Sequence, residues 1–113
     1  GSISYGALDG IMRDRIKMAV NGLVAISLLI DENDDPLEDV WCEIRGLSEN
    51  GSSTTYLSEE VEENINNLIK FWDKSTLSDD DKIEEIVRRS VRKTCLEEIG
   101  KKPEVIVVIL RLS

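Results

Sequence analysis

Two segments that read as amphipathic helices follow one another with no strand between them, and this succession constrains the fold more than any other feature of the chain. Over residues 59–73, Val61, Ile65, Leu68, Ile69 and Trp72 recur at spacings of three and four, which sets them on one helical stripe. Ser58 is placed to cap that helix, and Glu59, Glu60, Glu62 and Glu63 stand near the positive end of its dipole. Over about 79–99, Ile83, Val87 and Val91 form an apolar row that Ile86 flanks and Cys95 continues. Ser78 is its expected cap, with Asp79, Asp80 and Asp81 in the first turn. Gly100 suits a left-handed helix end, and Pro103 prevents resumption.

The flanking segments read as strands. Residues 22–30, Gly-Leu-Val-Ala-Ile-Ser-Leu-Leu-Ile, are nearly all apolar, as in a strand covered on both faces. The following Asp31-Glu-Asn-Asp-Asp-Pro36 marks a reversal of the chain. Residues 40–45 alternate, with Val40, Cys42 and Ile44 facing one way and Trp41, Glu43 and Arg45 the other. A polar loop occupies 48–55, and the β-branched run 105–112 closes the chain as a third strand.

The order is therefore β-β-α-α-β. Two consecutive helices cannot both separate single parallel strands, so a doubly wound sheet is excluded. The expected class is α+β, a small three-stranded sheet with two helices packed on one face. Residues 22–113 form this domain, and 1–21 read as a tag and lead-in from a preceding domain. Gly1-Ser2 looks like a cloning remnant, no signal peptide is visible, and the basic stretch from Met12 to Lys17 reads as a solvated connection.

Such a plan leaves the sheet unevenly covered. Both parities of the first strand are substantially apolar: Val24, Ile26, Leu28 and Ile30 against Leu23, Ala25, Ser27 and Leu29. The same holds for the third, with Ile106, Val108, Leu110 and Leu112 against Val105, Val107, Ile109 and Arg111. One set goes under the helices and the other faces water in an isolated copy. Leaving even ~400 Å² of apolar surface bare forgoes about 10 kcal/mol before association costs. The set expected on that second face is Leu23, Ala25, Leu29, Trp41, Val105, Val107 and Ile109. Its cover would be another subunit, another part of the same polypeptide, or the N-terminal segment folding back through Ile3, Tyr5, Leu8 and Ile11.

Composition narrows the chemistry. The 113 residues carry 23 acids and 14 bases, a net charge of −9, which excludes a whole-molecule cationic field for nucleic acid. The absence of histidine removes the commonest metal ligand and general base. Two cysteines, Cys42 and Cys95, are too few for a disulfide scaffold, and both fall on apolar faces as small core residues. Asp31, Asn33 and Asp35 begin a D-x-N-x-D pattern, but Pro36 stands where a calcium loop needs glycine and Cys42 where it needs glutamate, so a hairpin turn is expected. Arg88, Arg89, Arg92 and Lys93 form the best candidate for contacting RNA phosphates. Glu84 and Glu85, four residues before the first two, equally predict an ion-paired, solvated face. No apolar run reaches the ~18 residues of a membrane span.

Three segments together resemble the C-terminal domain of ribonuclease J, of the metallo-β-lactamase, β-CASP branch of RNA-processing nucleases. Met12-Arg-Asp-Arg-Ile-Lys-Met-Ala-Val-Asn-Gly-Leu-Val-Ala-Ile is similar to the R-x-R-x-x-(L/M)-x-x-x-G-x-V-x-V opening of that domain. Asp35-Pro36 to Arg45-Gly46-Leu47 resembles the second strand, where the family reads G-D-P-x-x-x-x-x-G. Val87-Arg-Arg-Ser-Val-Arg-Lys and Gly100-Lys-Lys-Pro-Glu-Val-Ile-Val-Val-Ile resemble the closing helix, the K-(K/R)-x-P turn and the last strand. The likeness covers residues 11–112. It implies a β-β-α-α-β accessory domain of a bacterial, cytoplasmic enzyme that cleaves RNA endonucleolytically and from the 5′ end.

That enzyme works with metal ions, usually zinc, bound by an H-x-H-x-D-H cluster in the lactamase domain. This chain has no histidine, so those ligands do not carry over, and no catalytic residue, metal or cofactor is expected in it. What the resemblance lends is support of oligomer assembly and activity, through self-association or docking to the rest of the parent chain, with RNA reached through the parent and no membrane contact. The alternative is an RNA-binding module using the basic helix stripe.

Overall fold

A computed structural model describes residues 5–16, 21–47 and 54–112. Helix α1 spans Tyr5–Ile16, strand β1 Leu23–Ile30, strand β2 Trp41–Arg45, helix α2 Thr54–Ile69, helix α3 Lys74–Leu77, helix α4 Asp80–Ile99 and strand β3 Glu104–Arg111. The β-β-α-α-β order and the α+β class hold, with α1 and the single-turn α3 as additions. Gly1, Ser2, Ile3, Lys17 and loop residues 48–53 lie outside the described residues.

The sheet is mixed, in the order β2-β1-β3. Strands β1 and β2 are antiparallel, with Val24 opposite Ile44 and Ile26 opposite Cys42. Strands β1 and β3 are parallel, with Val24 beside Val105 and Ala25 beside Ile106. The central position of β1 explains its near-continuous apolar run, since it is shielded by a strand on each side and packed on both faces. Gly22 opens it at φ +86°, where a Cβ would collide with the Leu47 side chain. The turn after β1 is held by Asp31, whose Oδ1 accepts the backbone N–H groups of Asn33 and Asp35 at 2.8 and 2.9 Å. The reversal expected from Asp31 to Pro36 is therefore an Asx-type hairpin turn.

The helices differ from expectation at their starts. Helix α2 begins at Thr54, so Ser58 lies within its first turns and is not its cap. Asp73 caps α3, Ser78 ends it, and Asp79 caps α4 by accepting the Lys82 N–H at 3.2 Å. The physical reason is the unforeseen single turn at 74–77, which takes up Ser78 and hands the next acceptor to Asp79. Gly100 closes α4 in the left-handed conformation at φ +68°.

The main core lies between the sheet and the α2/α4 layer. It joins Val24, Ile26, Leu28 and Ile30 of β1, Cys42 of β2 with Val40 just before it, Val61 and Ile65 of α2, Ile83, Val87, Val91 and Cys95 of α4, and Val105 of β3. Arg111 ties the far end of β3 to this layer. Its guanidinium bonds Asp80 Oδ1 at 2.7 and 2.8 Å, Asp34 Oδ1 at 2.8 Å and the Leu77 carbonyl at 2.6 Å. Asp34, the non-glycine residue held at positive φ (+61°), is thereby fixed against the start of α4.

Candidate assembly face

The opposite face of the sheet carries a second, smaller cluster: Met12, Leu23, Ala25 and Ile106, with Val108 packed against it. Met12 is fully buried and comes from α1, so the chain's own N-terminal helix roofs part of this face. The fold-back alternative is thus realised in part, through a residue not in the set expected to make it. Ile11 stays exposed, and the side chains of Tyr5 and Leu8 lie outside the described residues. An ion pair between Arg15 and Glu104 at 2.8 Å accompanies the contact, though both ends are well exposed and contribute little.

Beyond that roof the face is less completely covered by the described residues. Trp41 is 51% exposed, and Leu29, Val108 and Leu110 are each partly exposed. Ser27 lies directly between Trp41 and Val108 in the ladder. Its hydroxyl is buried and has no hydrogen-bond partner among the described residues. Such a group costs about 1–3 kcal/mol until something pairs with it.

The structure sorts the expected second-face set into two groups. Leu23, Ala25, Leu29 and Trp41 are on that face, as expected, although Leu23 and Ala25 are already covered by α1. Val105, Val107 and Ile109 are not. Val105 is buried under the helices, and Val107 and Ile109 pack against the same core. The cause is register: in the parallel pairing Val105 stands beside Val24, and laterally paired residues share a face. The β3 residues that belong to the second face are Ile106, Val108 and Leu110.

The basic stripe is distributed over the solvent side of α4. Arg88 bonds Glu84 at 2.7 Å and Arg89 bonds Glu85 at 2.6 Å, both at i, i+4 spacing. Arg89 and Lys93 line a groove of about 530 Å³ between α2 and α4, but Glu60 and Glu97 line it too. Acid and base share that surface, so it does not concentrate positive potential.

The cysteines are buried in the main core. Burial, with the nearby Glu62 carboxylate, pushes the Cys42 thiol far up, and burial pushes Cys95 up to about 11. Both are protonated near neutrality, which is the state of a packing residue and not of a nucleophile. Among the described residues no group of three His, Cys, Asp or Glu side chains is placed to hold a metal ion. No described helix is long and apolar enough to cross a membrane.

Fold and face together define a small α+β domain whose three-stranded mixed sheet packs its main core under the helices on one side and a smaller cluster under α1 on the other. The chain belongs to the ribonuclease J C-terminal domain family, whose family model matches residues 10–112. None of the curated proteins matches it.

Proposed function

We propose that this chain is the non-catalytic C-terminal domain of a ribonuclease J-like, metal-dependent RNase of the metallo-β-lactamase, β-CASP group, and that it supports assembly and activity of a parent engaged in RNA processing and decay. The observation that carries the reading is the unroofed half of the second sheet face. There Trp41 and the partly exposed Leu29, Val108 and Leu110 present apolar surface around the buried Ser27 hydroxyl, which no described residue pairs. Covering it with another surface releases water from apolar groups and supplies a partner for that hydroxyl. The metal, zinc by expectation, belongs to the parent's catalytic part, and the parent works in the cytoplasm.

The RNA-binding alternative draws no comparable support, because Arg88 and Arg89 are already engaged by acids one turn away. Sedimentation of the chain, and of the parent enzyme, with Trp41→Glu tests the assembly reading. The expected result is weakened self-association or docking with unchanged circular dichroism. Unaltered assembly in both settings overturns it.

A further inference from the structure

The two edges of the sheet are treated differently. Strand β2 is one edge, and α2 covers it. Cys42 donates its backbone N–H to Glu62 Oε2 at 2.9 Å, and the Val40 N–H is accepted by Asn66 Oδ1 at 3.0 Å. The spacings match: two residues along a strand advance about 6.6 Å and four along a helix about 6 Å, so residues 62 and 66 meet alternate N–H groups. A strand cannot add there without displacing both.

Strand β3 is the other edge, and among the described residues it pairs with β1 alone. Glu104 donates to the Gly22 carbonyl at 2.9 Å and Leu112 to Ile30 at 2.8 Å, so even-numbered residues turn their N–H and C=O groups to β1. The odd ones, Val105, Val107 and Ile109, turn theirs outward. Soluble proteins blunt such an edge with a charge, a proline, a bulge or a short strand. Here eight residues are paired continuously with β1, and 105–110 contain no charge and no proline. Val107, Val108, Ile109 and Leu110 are all partly exposed.

We infer that the open β3 edge pairs antiparallel with β3 of a second copy of this chain, joining two sheets into one of six strands. The inference rests on the reading that the chain assembles and adds a second contact, at the sheet edge, beside the open face. An incoming strand must be apolar on both faces, because it extends the core under the helices on one side and the Val108–Leu110 surface on the other. Strand β3 is itself such a strand. A two-fold axis perpendicular to the sheet keeps the helices of both copies on one side and lets each row of outward groups satisfy the other. Pairing centred on Val107 sets Val105 against the partner subunit's Ile109 and leaves Arg111, already held by Asp34 and Asp80, outside the apolar stretch.

The test is sedimentation of the 113-residue chain with Val107→Pro. The Val107 N–H points away from β1, so proline there leaves the β1–β3 ladder whole and removes two hydrogen bonds from the paired edge. The expected result is a dimer in the parent sequence and a dissociation constant raised at least about ten-fold in the variant. Amide exchange supplies a readout that needs no variant: Val105, Val107 and Ile109 should gain protection as concentration rises. If the chain dimerises with those amides exchanging freely and Val107→Pro changes nothing while Trp41→Glu dissociates it, the edge is refuted and the assembly reading stands. If the chain stays monomeric at every concentration, the edge inference falls alone, because docking of the open face to the parent is measured separately in the whole enzyme.

Discussion

Glu62, on α2, accepts the backbone N–H of Cys42, on β2, at 2.9 Å. One carboxylate thereby satisfies an edge-strand donor and stands beside the thiol of the same residue, raising its pKa further above what burial alone does. Replacing Glu62 with Ala should cost about 1.5–3 kcal/mol, because a buried-side donor loses a charged acceptor. Urea denaturation measures the cost. Asn66→Ala, which frees Val40 in the same way, should cost about 1 kcal/mol.

Met12 anchors α1. It is fully buried against Leu23, Ala25 and Ile106, and it is the described α1 side chain that enters a core. Met12→Ala should lower stability by about 2–3 kcal/mol. Because the contact is local, hydrogen exchange in 5–16 should accelerate before the main core opens. Protection in α1 that is unchanged would show that other contacts hold it.

Val107 and Trp41 distinguish the two faces. Val107 packs against the core under the helices, so Val107→Glu should lower the stability of a single copy by about 2 kcal/mol or more. Trp41→Glu replaces a side chain that is half in water and should alter it by less than about 1 kcal/mol. Thermal melts of dilute protein compare them directly. Equal effects would contradict the register.

Alkaline pH should weaken the fold through the thiols. Both keep their protons to higher pH in the folded chain than the ordinary value of 9.0 allows, Cys95 to about 11. A raised folded pKa gives a contribution that is complete below pH 9.0 and is lost as pH rises through about 11. Denaturation midpoints should therefore fall from pH 9 upward, and Cys95→Ala should flatten that fall while costing some packing at neutral pH.

Much of the local structure was legible in the residues. The alternation of Val40, Cys42 and Ile44 placed one face of β2 against the helices, and the three–four spacing of Val61, Ile65, Val87 and Val91 placed α2 and α4 over the sheet. These patterns are local, because a half-buried element must repeat its apolar residues at its own period. Helix α1 left no such mark: among its described side chains Met12 alone is buried, and one buried residue makes no period.

The candidate face was legible only by half. Its composition followed from counting layers, since two helices shield one side of a sheet, and Trp41 and Leu29 were correctly placed on it. Which parity of β3 joined them was not encoded locally, because both parities are apolar and either would satisfy the pattern. Pairing with β1 made that choice, setting Val105 beside Val24 under the helices and Val108 beside Ser27 on the open side. The sequence by itself determined the three strands, the two long helices and the uneven cover of the sheet. Tertiary structure alone decided the phase of β3, the roof over Leu23 and Ala25, and the protected edge at β2, because each depends on the register between segments far apart in the chain.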